Sequence, residues 1–158
     1  MTMAERAKPL DNAPEAGDEM MDADRQAAQF ERVRTAQQTE KAEDYVEMID
    51  DLINAYGEAR VTDLAQRFGV SHATVNKIVK RLQRDGLVTS RPYRSIFLTD
   101  QGRDLAEASR KRHQIVLNFL RAIGVSARNA ELDAEGIEHY VSAETLAAFE
   151  RITSEKDD

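Results

Sequence analysis

Residues 61–98 read VTDLAQRFGV SHATVNKIVK RLQRDGLVTS RPYRSIFL, and the order of elements within them decides the fold. Leu64, Ala65 and Phe68 recur at helical spacing, with Thr62 as the expected N-cap. Gly69 stops this short helix and permits a tight turn. Ser71 is then placed to cap a second helix, in which Val75, Ile78, Val79 and Leu82 form one apolar stripe. Ala65 is small enough to let the two helices cross closely. Asp85-Gly86 ends the second helix. Leu87-Val88-Thr89 and Ile96-Phe97-Leu98 are short β-prone runs around Pro92-Tyr93-Arg94-Ser95, which predicts a hairpin. A generic small α+β domain could contain these parts. Their order, with a basic outer face on the second helix, predicts a winged helix-turn-helix.

The charge distribution agrees with that reading although the total does not. The formal net charge is −7, but the negative charge is segregated. Residues 11–24 are rich in Asp and Glu, whereas Lys77, Lys80, Arg81, Arg84, Arg91 and Arg94 share a stretch whose only acid is Asp85. Local sign, not the sum, decides whether a face attracts nucleic acid. At the start of the recognition helix, His72, Thr74, Asn76 and Lys77 are the candidates for base edges. Lys80, Arg81 and Arg84 suit phosphates, and Arg94 suits the wing. His72 and Thr74 equally suit ordinary helix-start chemistry.

Upstream, residues 1–24 hold two of the three prolines and few residues able to enter a core, so an unordered arm is expected. Residues 25–41 favour helix, from an Asp24 cap, with Phe30 and Val33 as the apolar anchors. From Ala42 the pattern sharpens: Tyr45, Met48, Ile49, Leu52, Ile53 and Tyr56 form a helical stripe that Gly57 ends. Asp44 and Glu47 lie off that stripe, three residues apart near its start, where favourable interaction with the helix dipole is their ordinary role.

Downstream, Thr99 caps a long helix that contains Gly102 early and Leu105, Ala106, Ala108, Ile115, Val116, Phe119, Leu120 and Ile123 for packing, ending at Gly124. Such a helix can leave the DNA-binding unit and carry a dimer interface. His113 sits near its middle. An isolated His there is commonly a surface or hydrogen-bonded residue. Residues 126–139 form a further helix capped by Ser126. Ser142 caps the last, where Ala143, Leu146, Ala147, Phe149 and Ile152 offer a face for association. The charged residues after Thr153 are expected to fray.

Within the helix of residues 126–139, the run Asp133-Ala134-Glu135-Gly136-Ile137-Glu138-His139 places Glu135, Glu138 and His139 on one face. Two carboxylates and an imidazole side by side call for a counter-charge, which a divalent cation with O and N ligands supplies. A solvated acidic face with a His beside it is the plainer alternative. Adding Asp44, Glu47 and His113 would make a site from three helices, with four carboxylates and two imidazoles, enough for two ions sharing carboxylates. The expected fold is therefore mainly α with a small β-hairpin: an N-terminal winged helix-turn-helix followed by an α-helical metal-binding and dimerisation domain. The expected divisions are an arm at 1–41, the DNA-binding domain at 42–106, the helical domain at 107–153 and a tail at 154–158.

Composition narrows the class further. A chain of 158 residues suggests one domain or two small ones packed together, and 41% hydrophobic residues can support a core. There is no Cys, which removes disulfides and thiolate metal sites. No run is apolar enough to span a membrane, and the acidic N-terminus lacks a signal-peptide pattern, so a cytoplasmic protein is the expectation. Oxidative di-metal bundles present Glu-x-x-His on two helices, and no such pair occurs here. Nor is there a Ser or Cys nucleophile constellation or a glycine-rich phosphate loop. An enzyme with a dinuclear carboxylate centre is the distant alternative.

The chain resembles the metal-dependent transcriptional regulators of the diphtheria toxin repressor family, and most closely their manganese-responsive branch. The resemblance runs from about Glu43 to about Ile152. It is carried by Glu43-Asp44-Tyr45-Val46-Glu47, the helix-turn-helix, Arg112-His113, Phe119-Leu120, Ile123-Gly124-Val125 and Asp133 to His139. It implies that Asp44, Glu47, His113, Glu135, Glu138 and His139 bind two Mn²⁺ ions per chain. It also implies a homodimer that reads a palindromic operator and represses manganese import genes when Mn²⁺ is high. A regulator answering to Fe²⁺, to Zn²⁺ or to no metal is the nearer alternative. Iron-responsive relatives carry Cys near the position of Glu135 and a Met on the first helix; the oxygen ligand here suits Mn²⁺. Tyr140 follows His139 where some relatives have a second His, a change that touches the surroundings of the ligands. The arm before Asp44 is longer than in compact relatives. The chain also ends before the SH3-like domain of the iron-responsive members would begin.

Overall fold

Two hydrophobic cores are joined by one long helix that enters both. The computed structural model describes residues 20–156; residues 1–19, on which most of the expected unordered arm falls, and 157–158 lie outside the described residues. Helix α1 spans Ala23–Tyr56, α2 Val61–Phe68, α3 His72–Arg84, α4 Asp100–Ala122, α5 Ala127–Ile137 and α6 Ala143–Lys156. Strands β1 (Val88–Thr89) and β2 (Phe97–Leu98) pair antiparallel, with Val88 opposite Leu98 and Thr89 opposite Phe97.

The winged helix-turn-helix forms for the reasons the residues suggest. The Ser71 hydroxyl accepts from the Thr74 N–H and closes the first turn of α3. Gly57 and Gly69 adopt the left-handed conformation that ends α1 and α2. Val75, Val79 and Leu82 of α3 are buried together with Ile49, Leu52, Leu64, Val88, Ile96 and Leu98. Tyr45 of α1 stacks on Phe68 of α2 with centroids 4.3 Å apart. The second core joins Val116, Leu117 and Leu120 of α4 to Ala130 and Ala134 of α5, with Leu146 and Phe149 of α6 packed against it. Phe149 stacks on Phe119 at 3.8 Å, so part of the apolar face expected for association is consumed within the chain.

Four expectations need correction. Residues 25–41 and the helix after Ala42 are one element: α1 is 34 residues long, capped by Asp22 rather than Asp24. Thr62 does not cap α2. The cap position is Arg60, in extended conformation and without a side-chain cap bond, because neighbouring Ala59 is paired with Ile96 as an isolated bridge. Helix α5 stops at Ile137, so Glu138 and His139 lie in the turn that follows. Helix α6 continues to Lys156 where fraying after Thr153 was expected.

Gly102 explains how the wing is seated. A Cβ there would lie 2.0 Å from the Leu87 carbonyl oxygen, which is backbone and cannot swing away. The approach is fixed on both sides of that contact. Thr99 N–H donates to Leu87 O at 3.0 Å, the Thr99 hydroxyl donates to Gly86 O at 2.6 Å, and the same hydroxyl accepts from Gly102 N–H at 3.0 Å. Gly102→Ala should therefore lower stability by about 1–3 kcal/mol through overpacking. Gly136→Ala is the control, since a Cβ there meets nothing within 4 Å. It should be neutral or stabilising by up to about 1 kcal/mol. Urea midpoints of the two variants check this; equal midpoints would contradict the close approach.

Candidate metal centre and nucleic-acid face

Helix α1 presents Glu40, Glu43, Asp44 and Glu47 along one side, at spacings of three and four residues. Helix α4 meets that side with Arg112 and His113. The turn after α5 brings back Glu138 and His139. His139 is the hinge of the arrangement. Its Nδ1 lies 2.7 Å from Glu43 Oε2, while its Nε2 lies 3.2 Å from Asp44 Oδ1 and 3.4 Å from Glu138 Oε1. Glu138 reaches both histidines, since its Oε2 is 3.4 Å from His113 Nδ1. The same His113 nitrogen is 3.6 Å from Glu135 Oε1, and His113 Nε2 is 3.5 Å from Glu131 Oε2. Glu47 lies against buried Ser109, within electrostatic reach of His113 and Glu135. Asp44, His113, Glu135, Glu138 and His139 thus meet at one junction, and Glu47, the sixth candidate read from the sequence, stands beside it without joining either close group. Two groups are close enough for a single ion each: Glu40, Asp44 and His139, and His113, Glu135 and Glu138.

The electrostatics depart far from those of a solvated acidic face. Burial alone would raise the Glu43 pKa. The hydrogen bond from His139 and the Arg112 guanidinium, 2.5 Å away, outweigh it and hold this carboxyl below its ordinary value. Burial of Glu138 is the dominant effect there and pushes its pKa up to about 7, reinforced by Glu47 and Glu135 against the opposing pull of His113 and His139. Burial likewise raises Glu47. For His139, burial opposes the charged form, but Asp44, Glu43 and Glu138 prevail and push its pKa up to about 10.

The residues fit a divalent cation. Glu138 Oε2 and His139 Nε2 are buried without a hydrogen-bond partner, on side chains only 3% and 1% exposed. With Nδ1–H given to Glu43, a neutral His139 turns its Nε2 lone pair towards two carboxylates. That contact is repulsive until a proton or a cation sits there. Carboxylate–histidine–metal chains have this form, with the outer carboxylate fixing tautomer and ring orientation. The donors are oxygen and imidazole nitrogen, and the chain has no Cys.

Sequence reasoning missed Glu40, Glu131 and the role of Glu43 and Arg112. Glu40 and Glu43 were detectable as the residues four and one before Asp44. Glu131 lies one turn before Glu135 on α5. No local signal announces that Arg112 neutralises Glu43.

On the winged helix, His72, Thr74, Asn76, Lys77, Lys80, Arg81, Arg84 and Arg94 are all exposed. Lys77, Lys80, Gln83 and Arg84 line one shallow groove. The Thr74 hydroxyl is 2.9 Å from that of Ser71, so it takes part in the cap, and Arg81 is 3.9 Å from Asp85.

A winged helix joined to a buried carboxylate–imidazole centre defines a metal-responsive DNA-binding regulator. Residues 37–96 match the N-terminal DNA-binding domain of the iron-dependent repressors, and residues 99–155 match their metal-binding and dimerisation domain. The chain belongs to the iron-dependent repressor family. It is 54% identical over 124 residues to the transcriptional regulator MntR of Escherichia coli, covering 78% of this chain and 80% of that one. It is 41% identical over 104 residues to the HTH-type transcriptional regulator MntR of Geobacillus kaustophilus, covering 66% and 74%. Among solved structures it resembles a manganese-dependent transcriptional repressor in complex with manganese, with a TM-score of 0.65 and 30% identity over 72% of this chain. The chain spans about half the length of that protein, 52%. No helix among the described residues is long and apolar enough to cross a membrane.

With the His139 pKa pushed up to about 10 and that of Glu138 to about 7, a divalent cation bound there competes with protons. Its binding should release protons, and its affinity should rise from pH 6 to pH 8. Calorimetry in buffers of different ionisation enthalpy measures the release; pH-independent binding without proton release would contradict it.

Proposed function

We propose that this chain is a manganese-dependent transcriptional regulator that binds operator DNA as a homodimer and represses manganese import genes when Mn²⁺ is high. The observation that carries this reading is the pair of buried, unpartnered ligand atoms on Glu138 and His139, set among carboxylates of the helix that also walls the recognition helix. The names of the similar regulators support manganese as the metal.

Asp44, Glu47, His113, Glu135, Glu138 and His139 are the proposed ligands of two ions. The presence of two separate ligand clusters supports that number. Glu138, with one oxygen towards each histidine, is suited to lie between them. A bound divalent cation supplies the positive charge that this set of side chains lacks. Asp44 and Glu47 anchor the set to α1, His113 anchors it to α4, and Glu135, Glu138 and His139 anchor it to α5 and its turn. Glu43 and Arg112 hold the His139 ring in place. Tyr45, Val46, Ile49 and Leu52 of the same α1 segment belong to the core that contains Val75 and Val79 of α3. Restraint at the junction therefore reaches the recognition helix through packed side chains, and selects the DNA-competent ensemble.

The functional units follow the division into arm 1–41, DNA-binding domain 42–106, helical domain 107–153 and tail 154–158. Helices α1 and α4 run unbroken through the first two boundaries, so the units are joined by rigid elements. Two copies related by a two-fold axis would read a palindromic site. His72, Thr74, Asn76 and Lys77 are the proposed base contacts, with Lys80, Arg81, Arg84 and Arg94 on phosphates. The proposed setting is the cytoplasm.

A duplex selected from random-sequence DNA by the Mn²⁺-loaded protein serves as the probe. Mn²⁺ should tighten binding by about 5–150-fold, corresponding to a coupling of about 1–3 kcal/mol. Glu135→Ala and His139→Ala should reduce that ratio towards one and leave metal-free binding unchanged. A variant that kept the full response would overturn the ligand assignment, and a parent chain indifferent to chelator would overturn metal control. On the same duplex, Lys77→Ala and Lys80→Ala should each flatten the slope of log K against log salt by about 0.9 for every phosphate no longer neutralised. An unchanged slope in both would remove α3 from the DNA backbone.

A further inference from the structure

Glu40 has no part in the ligand set proposed above, yet it stands at the same junction. It lies one turn before Asp44 on α1. Its carboxylate, that of Asp44 and a ring nitrogen of His139 fall within 4.8 Å of one another. The Tyr140 hydroxyl donates to Glu40 Oε2 at 3.0 Å, from the residue directly after His139. That bond ties the Glu40 side chain to the same turn that delivers His139. An independent observation points to a ligand here: His139 Nε2 is buried, has no hydrogen-bond partner and lies 3.2 Å from Asp44 Oδ1.

We propose that Glu40 is an additional ligand of the cation held at Asp44, Glu138 and His139, and that Tyr140 is the positioning residue that holds the Glu40 carboxylate towards it. This rests on the manganese reading of the centre. The chemistry gives the extra carboxylate a purpose. Mn²⁺ favours an octahedral, oxygen-rich shell, whereas Zn²⁺ is satisfied by four ligands. An oxygen donor beyond Asp44, Glu138 and His139 therefore contributes more to Mn²⁺ than to Zn²⁺. Raw affinity at N and O sites otherwise runs the opposite way, so a device of this kind is needed for selectivity.

The test is Mn²⁺ and Zn²⁺ binding to the metal-stripped full chain, by competition with a fluorescent chelator and by EPR of free Mn²⁺. The proteins are the parent, Glu40→Ala, Tyr140→Phe and His139→Ala, each checked for helix content by circular dichroism. Glu40→Ala should weaken one Mn²⁺ site by about 10–100-fold, leave the other in place, and lower the Mn²⁺-to-Zn²⁺ affinity ratio. Tyr140→Phe should shift both readings in the same direction by less. If Glu40→Ala binds Mn²⁺ as the parent does while His139→Ala loses an ion, the Glu40 assignment is overturned and the metal centre stands. Equal losses for the two metals would overturn it as well, since a merely structural role moves both. Absence of saturable Mn²⁺ binding by the parent overturns the manganese reading and this inference together.

Discussion

The contact on which the structure turns is the buried one between His139 and Glu43. It joins residues 96 positions apart in sequence, at 2.7 Å, between two buried side chains. Arg112 completes it from α4 and favours the ionised form of Glu43. Once the His139 Nδ1 is taken by Glu43, its Nε2 must face Asp44 and Glu138. The tautomer, the direction of the open nitrogen and the meeting of α1, α4 and the α5–α6 turn follow from that one bond. A lone carboxylate or imidazole here would carry the full cost of burial; together they are satisfied on the Glu43 side, with Glu138 Oε2 and His139 Nε2 left open where a cation fits.

Helix α4 enters both cores, and α1 enters the first while carrying part of the ligand junction. Ala106 of α4 is buried among the residues around α3, while Val116 and Leu120 of the same helix are buried among those of α5 and α6. Helix α1 belongs to the first core alone, with Tyr45, Val46 and Ile49 buried in it, while Glu40 and Asp44 stand at the ligand junction and Glu47 lies within electrostatic reach of His113 and Glu135. A change of charge at the junction acts on α1 and α4, and on the turn that carries Glu138 and His139. Close-packed interiors shift between discrete arrangements, which is the route the proposed restraint would take to α3.

Much of the fold was legible because its signals are local. Ser71, Thr99, Ser126 and Ser142 cap the helices they precede, each accepting a backbone N–H three residues on. Gly57, Gly69 and Gly124 adopt positive φ where helices end. The errors arose where tertiary contacts override local preference. Thr62 is a good cap residue, but the Ala59–Ile96 bridge begins α2 earlier. The polar segment before Ala42 carries no strong stripe, yet it continues α1 without a break, with Gln26, Ala36 and Glu40 as its partly buried positions. Gly102 could be noted in the sequence, but its reason, the Leu87 carbonyl against it, could not.

The sequence by itself determined which chemistry is available: oxygen and imidazole ligands at helical spacings, no thiolate, a capped basic helix after a glycine turn, and a short hairpin. These depend on residue type and on periods of two, three and four, which a linear chain displays. Only the tertiary structure decided that Glu138 and His139 leave the helix to face α1, that Glu43 and not Asp44 holds the His139 Nδ1, and that Glu40 and Tyr140 stand beside them. Those facts require the relative rotation of three helices and the direction of a turn. Both are set by the packing of the two cores, where interactions between residues far apart in the chain outweigh the preferences of any one segment.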